Sequence, residues 1–188
     1  RLGVAVLDGA GQRLPIRLKG AGEPAYAMEG ATWLRLGAYL WQDGWVQAVD
    51  AGTAPDQRVD AEFGGRLALT GFSLHSTRLQ PGDDLHLQLH WRATTAIEQE
   101  YAVFVHLLNE SGERVAQHDG PPNYYSYLPT NLWQVGVPVL DQRRLSLPVD
   151  LAPGTYDLIV GWYEPQTGER LLLTTGEGSL FLTQVKVD

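Results

Sequence analysis

Cysteine is absent from this chain of 188 residues. That one absence removes a thiol nucleophile, a disulfide framework and Cys-ligated zinc together. It is silent on compartment, since exported proteins also do without disulfides. No apolar run approaches the roughly 18 residues of a membrane span, and no signal-peptide pattern is present. The first residue is Arg1 and not Met, so we expect a piece of a longer protein, in which missing targeting signals carry no weight. Clusters of Lys and Arg are also missing. With 14 basic against 22 acidic residues the formal net charge is -8, and an acidic surface repels phosphate backbones; no nucleic-acid partner is expected. Helical periodicity is nearly absent too: no long stretch places apolar residues at i, i+3, i+4 and i+7.

What is present is ordinary globular composition, 44% hydrophobic and 19% charged. A chain of this length buries roughly 70% of its extended surface on folding, enough for a real core. The dominant period is two. In "DLHLQLHWR", Leu85, Leu87, Leu89 and Trp91 alternate with His86, Gln88, His90 and Arg92, the mark of a half-buried strand. "YAVFVHLL" places Tyr101, Val103, Val105 and Leu107 on one face, and Asn109 to Gly112 reads as a hairpin turn into "ERVAQ". "GTYDLIVGWYE" repeats the alternation through Tyr156, Leu158, Val160 and Trp162, "PQTGE" is another turn, and "SLFLTQVKV" is a last strand. Pro81-Gly82 and Pro153-Gly154 mark strand entrances. Short strands punctuated in this way predict an all-β fold: a two-sheet, immunoglobulin-like sandwich of about seven to nine strands over residues 59–188. The expected core is Leu67, Leu69, Leu87, Leu89, Trp91, Val103, Val105, Leu145, Leu147, Tyr156, Leu158, Val160 and Trp162.

Residues 1–58 differ. A hairpin about Gly9 to Gly11 is followed by a small-residue connector. Two further strands are joined by Gln42-Asp43-Gly44, a good tight-turn sequence. Asp50 to Arg58 is polar, carries Gly and Pro and reads as a linker. "VAVLDGAGQRLPI" and "VGWYEPQTGERLLL" echo each other. Either both are simply hairpins, or residues 1–58 are a small β unit related to the main one, or the tail of such a module.

The ordered set "GGRLALTGFSL", "LQPGDDLHLQLHWRA", "YAVFVHLLNESGERVAQHDGPP", "PTNLWQVGVPVLDQRRLSLP" and "LAPGTYDLIVGWYEPQTGERL" spans residues 65–175 or so. It resembles an extracytoplasmic β-sandwich module at the C-terminal end of bacterial polytopic membrane glycosyltransferases of the dolichyl-phosphate-mannose–protein mannosyltransferase-like type. The resemblance does not extend to the first 58 residues. It implies a place on the outer face of a bacterial membrane, attached through an upstream region, and a non-catalytic role in holding a glycan or glycosylated acceptor, or a protein partner. It transfers no catalytic residue, because the catalytic acids of such enzymes sit in their membrane part.

The stretch "HDGPPNYYSYLPTNLW", His118 to Trp133, carries the clearest chemistry. Sugar recognition needs a flat apolar face with donors and acceptors at its rim. Tyr124, Tyr125, Tyr127 and Trp133 offer the faces, and Asp119, Asn123 and Asn131 the hydrogen bonds. The competing reading is architectural: Pro121-Pro122 and Pro129 stiffen a long connection between sheets, and Trp133 caps the open end of the core. The resemblance favours framework for His118, Asp119, Pro129, Thr130 and Trp133 and leaves the tyrosines as features of this chain.

Other constellations say less. His86 and His90 share a strand face, and pairing of "YAVFVHLL" with that strand would add His106. Strand positions i and i+4 are about 13 Å apart, so the first two cannot grip one ion. Asp83 and Asp84, or Asp56, Asp60 and Glu62, are the acids a structural calcium would use, but no EF-hand spacing is present. There is no Gly-x-Ser-x-Gly elbow, His-Glu-x-x-His or P-loop, and Gly71 to His75 reads as strand. No cofactor or metal is implied. The expectation is a non-enzymatic domain, with a carbohydrate-binding module on the Tyr/Trp platform, or a purely structural or oligomerising sandwich, as the alternatives.

Overall fold

The computed structural model describes residues 54–122 and 129–188 in full, and between residues 3 and 49 the backbone of short strands. The chain divides into two compact units, Arg1–Gly52 and Thr53–Asp188. In the first, β1 (Gly3–Val4) pairs with β4 (Leu34–Arg35), and β2 (Val6–Leu7) with β3 (Arg13–Leu14). There too, β5 (Ala38–Gln42) pairs with β6 (Trp45–Val49) across Asp43-Gly44.

The second unit is the all-β sandwich that the alternation predicts. One sheet contains β7 (Gln57–Phe63), β8 (Leu67–Leu74), β10 (Asp84–Ala93) and β13 (Pro138–Ser146), in the order β13-β10-β8-β7. The other holds β9 (Arg78–Leu79), β11 (Ala102–Leu108), β12 (Arg114–Gly120), β14 (Gly154–Tyr163) and β15 (Leu180–Val187), in the order β12-β11-β14-β15-β9. Neighbours run antiparallel except β15 and β9. A single turn of 3-10 helix, Thr130–Leu132, precedes β13.

Period-two side chains fill the space between the sheets. Leu85, Leu87, Leu89 and Trp91 of β10 face Val103, Val105 and Leu107 of β11 and Leu158, Val160 and Trp162 of β14, all buried, as are the remaining expected core positions. Four indole and phenyl rings form a chain through one end of this core. Phe63 meets Trp91 at 5.9 Å, Trp91 meets Trp162 at 4.9 Å and Trp133 meets Trp162 at 5.8 Å, each edge to face as aromatic quadrupoles prefer.

Two features depart from simple alternation. A bulge in β8 lets Leu69 and Phe72, three residues apart, both face inward, because His90 pairs with Gly71 while Trp91 pairs with Leu69. The second concerns partners: β11 does not form a hairpin with β10, whose neighbours are β8 and β13. His106 therefore belongs to the other sheet from His86 and His90, and the three imidazoles share no face.

The five-stranded sheet is covered on its outer side as well. Residues 164–179 leave β14, return through a bridge between Tyr163 and Arg170, and reach the end of β7 by the bridge between Phe63 and Leu173. Arg170 lays its guanidinium on the Phe104 ring, 4.4 Å from the centroid. The close approach requires a glycine beneath: a Cβ on Gly161 would lie 2.3 Å from the Phe104 ring and 2.9 Å from the Gly178 carbonyl oxygen. Gly161→Ala should thus cost about 1–3 kcal/mol by overpacking, seen as a lower urea midpoint at an unchanged m-value.

Candidate functional site

Of the six residues singled out as a ligand surface, Asn123, Tyr124, Tyr125 and Tyr127 lie outside the described residues. Asp119 and Trp133 stand on either side of them in the chain and do not share an environment. Trp133 is 5% exposed and packed edge-on against Trp162, so protein covers its faces. Asp119 projects from the outer face of β12, with 27% of its side chain exposed. Asn131 is exposed on the 3-10 turn.

The residues just before and just after 123–128 are held by buried polar side chains. On the near side, β13 turns Asp141 and Arg143 inward, both with fully buried side chains. Arg143 Nε donates to both carboxylate oxygens of Asp141 at 2.9 Å. Its Nη2 reaches across the sandwich edge to the carbonyl oxygens of Pro121 (2.8 Å) and Gly120 (3.5 Å). Nη1 is buried and finds no hydrogen-bond partner among the described residues. On the far side Thr130 is fully buried; its hydroxyl accepts the Tyr101 N–H at 2.9 Å and donates to the Gln99 carbonyl at 3.0 Å.

A second polar group lies on the outer face of the same sheet edge. Neutral His106, 5% exposed, donates from Nε2 to Asp119 at 3.1 Å and stacks obliquely on Phe104. Burial pushes His106 below its ordinary value; Asp119 pulls the other way, and Arg114 and Arg170 add to the depression. His118, on the inner face, is lowered by burial and then by the Arg143 charge. Burial and the Asp119 carboxylate together raise the Tyr163 phenol.

Three of the five acids weighed for calcium are engaged elsewhere. Asp83 accepts the Gln80 N–H, Asp84 takes Arg144 and Ser146, and Glu62 takes the Thr94 hydroxyl. Among the described residues no group of three or more His, Asp or Glu is placed to hold an ion.

Asp141, Arg143 and the pinning role of Thr130 escaped the sequence reading. Their signal was in the same period: Val139, Asp141, Arg143, Leu145 and Leu147 fall at every second position, the last four separated by polar Gln142, Arg144 and Ser146, so opposite charges two residues apart stood on an inward face.

No protein-family model matches the chain, and no curated protein does. Among solved structures the sandwich is similar to the C-terminal domain of wzt, at 15% identity and a TM-score of 0.48, over 72% of this chain and 82% of that one. A Niemann-Pick type C2 protein from Japanese carpenter ant aligns at 7% identity and a TM-score of 0.40, over 72% and 98%. The Pseudomonas fluorescens alkylpurine DNA glycosylase AlkC, bound to DNA containing an abasic site analog, aligns at 13% identity and 0.40, over 65% and 30%.

Breaking the interior ion pair tests its role directly. Arg143→Met strands the Asp141 carboxylate and should cost about 3–5 kcal/mol, most of it recovered in the Asp141→Leu/Arg143→Met double variant; chemical denaturation followed by tryptophan fluorescence reads both. The imidazoles predict the acid response. Unfolded histidine takes a proton near 6.5, folded His106 only at lower pH, so its contribution to stability is intact above that value and is lost as pH falls below it. Asp119→Asn removes the one group that raises His106, and the His106 ring should then titrate at still lower pH by NMR.

Proposed function

We propose that this chain is a non-catalytic binding module, carried on the extracytoplasmic side of a bacterial membrane as an accessory part of a glycosyltransferase-like protein. There it holds a glycan or glycosylated acceptor, or docks a protein partner. One observation carries the reading: the described residues on either side of Asn123, Tyr124, Tyr125 and Tyr127 are fixed by buried polar side chains, Arg143 on Gly120 and Pro121, and Thr130 between Tyr101 and Gln99. A scaffold that fixes both ends of a short segment rich in tyrosine suits recognition, since binding residues sit disproportionately on loops positioned by rigid elements. The membrane context comes from the resemblance of residues 65–175 to accessory modules of that enzyme class, and the acidic balance agrees with a partner other than nucleic acid.

A glycan-array screen of the purified chain, with the Tyr124→Ala/Tyr125→Ala double variant beside it, tests the proposal. Binding that falls at least about tenfold in the variant is expected, the size of a lost aromatic contact or two. Silence from the folded wild-type chain, followed by no captured protein partner, would leave a purely structural sandwich.

A further inference from the structure

Phe181 is 53% exposed, while every other Phe, Trp and Tyr among the described residues is buried or half-buried. It stands on the outer face of β15, paired across the strands with half-buried Ile159 of β14. Asp157, two residues before Ile159 on β14, is directly paired with Gln184, three residues after Phe181 on β15 across a bulge, and the Gln184 amide donates to Asp157 Oδ1 at 3.2 Å.

That exposed bond uses one Asp157 oxygen and one Gln184 N–H, and the pair retains a second carboxylate oxygen, a second amide N–H and an amide carbonyl as hydrogen-bonding groups. Together they are acceptor, donor and acceptor, and neighbouring sugar hydroxyls each offer both roles. Lys186, next on this face, is drawn to Asp188 at 2.5 Å and leaves the pair open.

We propose that Phe181, Asp157 and Gln184 form a saccharide subsite for a neutral hexopyranose, its apolar face on the Phe181 ring and its adjacent hydroxyls on the Asp157–Gln184 pair. The charge selects the ligand. The carboxylate of Asp157 accepts hydroxyl protons and repels a uronate or sulfate, in a chain of net charge -8. The inference shares its ligand class with the function proposed above but uses a different part of the surface, so the two stand or fall separately.

The test titrates the full 188-residue chain with neutral manno-, gluco- and galacto-oligosaccharides and with uronate-containing and sulfated counterparts. It compares wild type with Phe181→Ala, Phe181→Trp, Gln184→Ala and the Tyr124→Ala/Tyr125→Ala variant. Phe181 and Gln184 are surface positions, and far-UV circular dichroism confirms that the variants fold. Binding to a neutral sugar is expected to weaken about tenfold or more in Phe181→Ala, to weaken in Gln184→Ala and to survive in Phe181→Trp. Loss in Phe181→Ala with retention in the tyrosine variant places the sugar at this subsite alone; loss in both joins the two surfaces on one ligand. Binding that ignores Phe181→Ala, binding confined to anionic sugars, or no saccharide binding by the wild type would overturn the inference. The first of these would still be compatible with recognition through the tyrosines.

Discussion

The contact between Trp91 and Trp162 holds the two sheets to each other. Each ring stands on an interior strand of its sheet, β10 between β8 and β13, β14 between β11 and β15, and they meet edge to face in the middle of the gap. Many sandwiches use a disulfide for this cross-sheet link, with a tryptophan packed on it. A chain without cysteine must hold its sheets in register by packing alone. Here Phe63 and Trp133 extend the aromatic contact on either side, so the last turn before β13 and the end of β7 are ordered by the same cluster. Among the described residues the Trp91 and Trp162 indole N–H groups are buried and find no hydrogen-bond acceptor, a cost that the large buried ring surfaces outweigh.

Next to this apolar cluster sits a charged pair that contributes little net stability. Moving a guanidinium and a carboxylate out of water costs roughly what their attraction returns. What the pair supplies is direction, because Arg143 reaches Gly120 and Pro121 only while Asp141 neutralises it and fixes its plane. The polar interior at the β12–β13 edge therefore serves the geometry of the chain that leaves it. The half-buried His118 and the His106–Asp119 contact lie on opposite faces of the same edge strand, so charge on either face is felt at the same point of the backbone.

Much of this fold was legible because period two says which side chains face inward. Every expected core position is buried, and the turns at Asn109 to Gly112 and at Gly168 take the positive φ angles their glycines allow. Period two does not say which strand lies next to which, and this is where the reading of His106 went astray. Nor does it announce a bulge, so Phe72 had to be found by its burial. The outer covering of β11 was half visible: "AVFVHLL" has no charged residue on its second face, which fits a strand buried on both sides. As for the candidate surface, composition pointed to the tyrosines, but an inward aspartate and arginine looked like ordinary polar strand residues. Charge type alone does not reveal direction; the apolar neighbours at every second position do.

The place of β15 bears on how the protein is made. This strand, residues 180–187, lies inside its sheet between β14 and β9 and gives Leu182, Val185 and Val187 to the core. Its partner β9 comes from more than a hundred residues earlier in the chain. During synthesis, which proceeds from the N-terminal end, β9 waits without its neighbour until residue 187 has emerged from the ribosome. The pairing of β9 with β15 is a contact of high sequence separation, which belongs to the slow class of folding topology. Until β15 arrives, the nascent sandwich presents the unpaired edges of β14 and β9 and depends on whatever shields them.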